Sequence, residues 1–209
     1  MMSTESTISA IQPSARFKIS ETILKTGRLD AMKTWYRTVL EVEPFFEHAP
    51  SPDTRPADYG GQTRASDLRM CFFRLSLDYP HTQTIGLFEE PGTSLEPATG
   101  KPGLHHMQLM CDSLDRLCDE YDRLVGEGMR PHRSADHGPM TSFYYRDPDG
   151  NNVELTAQNF PTVEAMVEFM ESDAFKANPS GTELEPEAFV TARREKAADS
   201  RSTSAEPIR

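Results

Sequence analysis

Residues 106–125 read HMQLMCDSLDRLCDEYDRLV, and their counterpart is residues 21–40, ETILKTGRLDAMKTWYRTVL. At this offset of 85 residues Leu29 meets Leu114, Asp30 meets Asp115, Met32 meets Leu117 and Tyr36 meets Tyr121, while Glu21 falls opposite His106. Later in each copy MCFFRLS matches TSFYYRD, and TIGLFEE matches NVELTAQ at a shorter offset that pairs Gly86 with Glu154. Self-similarity of this kind marks two fused copies of one structural unit. Such a pair encloses a pseudo-twofold cavity, and Glu21, His106, Gly86 and Glu154 are the corresponding points at which a metal ion would sit.

The pattern within each copy names its elements. Phe17 to Thr26 alternates and is rich in Ile, Thr and Phe, as a strand is, and after Gly27 the residues Leu29, Met32, Tyr36 and Leu40 recur at helical spacing. In the second copy Ser113 is the expected N-cap, Leu114, Leu117, Tyr121 and Leu124 form the apolar stripe, and Gly126 with Gly128 ends the helix. A short strand, a loop and a hairpin follow each helix: Met70 to Leu77 with Thr84 to Glu89, then Thr141 to Tyr145 with Asn151 to Thr156. Each unit is therefore strand, helix, three strands. Module one covers residues 16–92 and module two 103–160, together one domain over 16–160. Residues 161–191 form a helical extension, and the polar stretches 1–15 and 192–209 read as disordered tails.

Composition narrows the function classes. With 22 Lys and Arg against 33 Asp and Glu the net charge is -11, which repels phosphate backbones and anionic lipid, so neither nucleic acid nor a membrane is an expected partner. No apolar run nears the roughly 18 residues of a membrane span, and MMSTESTISA lacks the pattern of a signal peptide, which points to a cytoplasmic protein acting on small molecules. Cys71, Cys111 and Cys118 form no CxxC pair and read as reduced thiols.

The candidate chemistry lies on the strands. Alternation puts His106, Gln108 and Met110 on one face, with His105 on the other, and gives Glu154 a face opposite Val153 and Leu155. A buried carboxylate calls for a cation or strong donors, and an imidazole beside it is a natural fellow ligand. The ordinary alternative is a solvent-facing Glu154 with His106 as a hydrogen-bonded core histidine. One imidazole with two carboxylates suits Fe²⁺, Mn²⁺ or Zn²⁺ and leaves coordination positions open. Tyr144 is either a substrate hydrogen-bond donor or a core tyrosine, and His137 either a general base or an exposed loop histidine. Asp147-Pro148-Asp149-Gly150 reads as a hairpin turn, without the further ligands of a calcium loop.

GLHHMQLMCDSLDRLCDEYDRL, DHGPMTSFYYRDPDGNNVEL and the trailing AFKANPSGTELEPE resemble the vicinal oxygen chelate superfamily and, within it, the small extradiol (catechol-cleaving) dioxygenases, over about residues 17 to 190. The resemblance implies an α+β fold in which two paired βαβββ modules form an open, cupped, mixed or antiparallel barrel around a central cavity, with C-terminal helices. It also implies an Fe²⁺-dependent dioxygenase (alternatively Mn²⁺ or Zn²⁺), a small aromatic substrate and a homodimer. The family's second and third metal ligands fall on His106 and Glu154, its active-site tyrosine on Tyr144, and His137 lies in the loop where such enzymes keep a substrate-facing histidine. Where the family has its first histidine ligand this chain has Glu21, so the expected set is Glu21, His106 and Glu154, with Glu21 alternatively a general base. No counterpart is found to the acid/base histidine that two-domain members place ahead of the second ligand. The superfamily accommodates two other activities: a metal-assisted isomerase, epimerase or lyase, and a non-catalytic binding protein of the bleomycin-resistance type. Glyoxalase-type members use two glutamates, one of them at the position held here by Gly86.

Overall fold

A computed structural model describes residues 17–55, 63–94, 96 and 103–203; the proposed N-terminal tail lies outside them. The fold is α+β, built on two mixed sheets. The chain divides into two compact units that follow the repeat, except that the turn Asp147–Asn151 groups with module one.

Module one comprises β1 (Glu21–Thr26), α1 (Leu29–Leu40), β2 (Phe46–His48), β3 (Arg69–Ser76) and β4 (Gln83–Glu89), in the sheet order β1-β4-β3-β2. β1 runs parallel to β4, and the other pairs are antiparallel. Of the helical stripe read from the sequence, Leu29, Met32 and Tyr36 are buried, but its last place is taken by Val39 rather than by the half-buried Leu40; the four are at or below 7 % exposure and join Phe73, Ile85 and Leu87 in the core. Burying each such side chain contributes about 1.5–3 kcal/mol. Strand β1 is shorter than the expected Phe17–Thr26. Its last neighbour bond is Thr84 N–H to the Ser20 carbonyl, and residues 17–20 beyond it are exposed. Apolar alternation cannot extend a strand past the end of its partner. The Asp147 turn is tied in by the Tyr36 hydroxyl, which donates to Asp147 Oδ2 at 3.2 Å, and by the amides of Asp149 and Asn151. The DPDG stretch is thus a turn whose Asp accepts backbone hydrogen bonds, as such turns use Asp.

Module two comprises β5 (Met107–Met110), α2 (Leu114–Gly126), β6 (Arg133–Asp136), β7 (Met140–Arg146) and β8 (Asn152–Gln158). The later elements α3 (Val163–Met170), α4 (Asp173–Ala177), β9 (Thr182–Glu183) and α5 (Pro186–Thr203) belong to the same unit. Sheet order is β5-β8-β7-β6-β9, again with one parallel pair, β5 and β8. Ser113 caps α2 by accepting from Arg116 N–H at 3.2 Å, and Gly128 N–H closes its end on the Val125 carbonyl; such a cap is worth about 1 kcal/mol. The helical extension opens with two short helices rather than one, because the Ser172 hydroxyl accepts from Phe175 N–H and starts α4 afresh. α5 lies on the outer side of the unit, with Phe189 edge-on to Phe143 and Arg193 and Arg194 paired to Asp115, Asp119 and Asp122 of α2. It continues through residues 192–203, which composition had assigned to the tail: Ala, Arg, Glu and Lys are strong helix formers once the helix is anchored.

Register refines the repeat. Ile23 stands opposite Gly86 in module one and Gln108 opposite Glu154 in module two, as the sequence overlay requires. The antiparallel partners differ from the overlay by one residue. Phe72 faces Gly86 and Tyr144 faces Glu154, so Phe72 corresponds to Tyr144 rather than Phe143. A one-residue slip exchanges the two faces of a strand, so the correction matters for the site.

Candidate functional site

Glu154 sits in the middle of β8, flanked by β5 and β7. Val153, Leu155 and Ala157 are buried on the helix side, which turns Glu154 to the opposite face. It is only 2 % exposed there. His106, one residue before β5, brings Nε2 to 3.2 Å from Glu154 Oε2. The Tyr144 hydroxyl donates to the other oxygen, Oε1, at 2.9 Å. Burial, reinforced by the Glu154 carboxylate, pushes the Tyr144 phenol up to about 12, so it remains a donor at neutral pH.

His137 extends the chain of contacts. Its Nε2 lies 2.8 Å from the Tyr144 hydroxyl and its Nδ1 2.8 Å from the Ser180 carbonyl. A carbonyl only accepts, so Nδ1 carries hydrogen. Tyr144 thus bridges the Glu154 carboxylate and the His137 ring, with its hydroxyl within hydrogen-bond distance of both.

The C-terminal segment holds this histidine. Gly181, at φ +75°, presses so closely on the backbone of Asp136 and His137 that a Cβ would collide with both, which lets the Ser180 carbonyl reach the ring. On the other side Asn159 Nδ2 donates to Asp136 Oδ1 and to the Gly138 carbonyl, both at 2.9 Å, fixing the loop. The Arg133 guanidinium lies 4.9 Å from the Tyr144 ring centroid and is held by Glu183 of β9. The sequence reading missed Ser180, Arg133 and Glu183, since no local pattern reports that the region after α4 returns to β6.

The pair His106 and Glu154 fits a cation. Its donor atoms are nitrogen and carboxylate oxygen, and 3.2 Å separates them, close to the roughly 3 Å between neighbouring ligands at right angles with bonds of about 2.1 Å. Glu21 belongs to module one, exposed as the first residue of β1 opposite Thr84. Among the described residues no three His, Cys, Asp or Glu side chains converge as a metal centre; His106 and Glu154 are brought together as a pair. Gly86 itself holds no carboxylate, and a Cβ there would press on Ile23 Cδ1 and the Phe72 ring, which would have to shift. Cys71, Cys111 and Cys118 are free thiols, as read from the sequence.

A βαβββ repeat with a buried His–Glu pair on the second sheet defines a class, and the chain belongs to it. It matches the Glyoxalase/Bleomycin resistance protein/Dioxygenase superfamily over residues 18–155. It is 34 % identical over 170 residues to biphenyl-2,3-diol 1,2-dioxygenase 2 of Rhodococcus globerulus, covering 81 % of this chain and 77 % of that protein. With biphenyl-2,3-diol 1,2-dioxygenase 3 of the same organism the identity is 32 %, over 84 % and 81 %. The glyoxylase/bleomycin resistance protein/dioxygenase domain from Frankia sp. EAN1pec shares the fold, with a TM-score of 0.54 at 18 % identity over 72 % of this chain and 98 % of that one. The resemblance read from the repeat is thereby borne out. No helix among the described residues is long and apolar enough to cross a membrane.

Proposed function

We propose that this protein is a metal-dependent dioxygenase that acts on a catechol-type aromatic diol. The observation that carries the reading is the buried Glu154 carboxylate, with His106 Nε2 on one oxygen and the Tyr144–His137 relay on the other. Both Rhodococcus globerulus relatives are named as dioxygenases of such a diol. His106 and Glu154 would hold the ion, Fe²⁺ in the first instance with Mn²⁺ or Zn²⁺ as alternatives, and Glu21 is the proposed third ligand. When bound, a redox-active ion supplies a place where the diol and dioxygen meet.

The chain's own residues do the rest. Tyr144 and His137 orient the diol and take up its hydroxyl proton: the imidazole accepts at Nε2, and the Ser180 carbonyl steadies the charge from Nδ1. The same proton returns to the ring-opened product through Tyr144. Both atoms of O₂ enter that product and one ring C–C bond breaks, so the electrons balance without an external reductant. Gly86 speaks against a glyoxalase-type reaction through two glutamates, because glycine supplies no second carboxylate at that position. A cytoplasmic homodimer is part of the proposal, on analogy with superfamily members that pair through strand edges and terminal helices.

The test is metal analysis of anaerobically purified protein with oxygen uptake on catechol and biphenyl-2,3-diol. Near-stoichiometric iron, lost in His106→Ala, with one O₂ consumed per diol is the expected result. Metal-free protein that cannot be reconstituted would overturn the reading.

A further inference from the structure

The face that carries Glu154 continues past it as a wall of a different kind. Gln108 and Met110 of β5, Met140 and Ser142 of β7, and Thr156 and Gln158 of β8 alternate with the residues packed on the helices. Gln108 is directly opposite Glu154 in register. Its Nε2 reaches across β8 to Met140 Sδ at 3.2 Å, and Gln158 Nε2 lies 3.7 Å from Met110 Sδ. Ser142 and Thr156 are fully buried and satisfied, the Ser142 hydroxyl donating to Thr156 Oγ1 and Thr156 to the Thr141 carbonyl. They form a small, self-contained floor beneath the Gln108–Met140 contact.

That contact is built to exchange. A thioether is a weak acceptor for an amide N–H, and methionine re-orients readily about its unbranched chain. Gln158 Oε1 is buried without a hydrogen-bond partner among the described residues, although a buried amide oxygen ordinarily has one. The wall therefore holds a donor spent on sulfur and an acceptor spent on nothing. None of its six residues is charged.

From this we infer that Gln108, Met140 and Gln158 read the ring substituent of the diol, and that they select a neutral group with both a hydrogen-bond donor and an acceptor, such as hydroxymethyl, over a methyl group or a carboxylate. The inference rests on the diol reading above and adds its specificity. The substituent oxygen replaces Met140 Sδ as the acceptor for Gln108, its O–H donates to Gln158 Oε1, and a carboxylate finds no cation among these six residues and no use for the unpaired acceptor.

The experiment measures anaerobic dissociation constants of 3-hydroxymethylcatechol, 3-methylcatechol and 2,3-dihydroxybenzoate for the metal-loaded wild type, Gln108→Met and Gln158→Leu, beside wild-type oxygen uptake on catechol. Wild type should favour hydroxymethyl over methyl and carboxylate by about tenfold, the worth of one good neutral hydrogen bond. Each variant, on a different strand, should bring the hydroxymethyl-to-methyl ratio close to one. A wild-type ratio near one, or a ratio that both variants leave intact, overturns the inference even when oxygen is consumed. A ratio present in wild type and lost in the variants, with no oxygen uptake, sustains the wall and sinks the dioxygenase reading; absence of diol binding sinks both.

Discussion

The two sheets share one register and diverge in three side chains. In module one the row Ile23, Gly86, Phe72 crosses β1, β4 and β3, and in module two the row Gln108, Glu154, Tyr144 crosses β5, β8 and β7. Phe72 joins Phe45, Phe46 and Phe88 at ring-centroid distances of 5.6–6.2 Å, an apolar cluster in the place where module two has a carboxylate, a phenol and an imidazole. Behind both rows the helix stripe is alike: Met32, Tyr36 and Val39 in one, Leu117, Tyr121 and Leu124 in the other, all buried. The comparison teaches that the helix-side core maintains the fold, while the opposite face is free to be greasy or chemical.

The harshest way to break the contrast is to give module two the residue of module one. Glu154→Gly should abolish metal retention and oxygen uptake, a loss beyond the roughly 100-fold that removing an outer partner of a ligand costs; wild-type metal content in that variant would contradict the assignment. Tyr144→Phe, the counterpart of Phe72, removes the bridge to His137. It should lower kcat by roughly 10²-fold while metal content stays near wild type, which separates a proton-transfer role from metal binding. In the other direction, Gly86→Ala brings a methyl group against Ile23 Cδ1 and the Phe72 ring, which must shift to admit it, and should cost at most about 1 kcal/mol of stability in a denaturant titration without touching metal content. Glu21→Gln sharpens the comparison further: diminished iron by elemental analysis makes module one a contributor to the site, and undiminished iron confines the ligands to module two.

The smallest effect is common to both modules. Burial pushes the Cys71 thiol of module one and the Cys111 thiol of module two up to about 11. A folded-state value above the unfolded one, about 8.5 for a thiol, gives stability that is complete below pH 8.5 and lost as pH rises towards 11. Melting temperature should therefore decline by a few degrees across that window; a flat profile would remove the thiols from the account.

How much of this could be read in the chain differs from residue to residue. The helix stripes were legible because period 3.6 with Leu, Met and Tyr needs no distant partner to be recognised. The repeat set His106 opposite Glu21 and Glu154 opposite Gly86, while the 3.2 Å approach of His106 to Glu154 is visible only in the structure. Phe72 was matched to the wrong residue of β7, since two aromatic runs align equally well one residue apart, and only cross-strand hydrogen bonding fixes which face each side chain takes. The break between α3 and α4 was hidden within the helical extension because Ser172 looks like any polar helix residue until its hydroxyl is seen to accept from Phe175 N–H.

By itself the sequence determined two βαβββ units and their apolar stripes, because these rest on periodicity and self-similarity along the chain, and its motifs carried the resemblance to the superfamily. Tertiary structure decided the rest: that Tyr144 rather than Phe143 meets Glu154, that His137 is anchored by the Ser180 carbonyl through the close approach of Gly181, and that Gln108 reaches Met140 over a buried floor. Those contacts join residues distant in the chain, and their geometry is set by strand register and backbone approach, which no local pattern encodes.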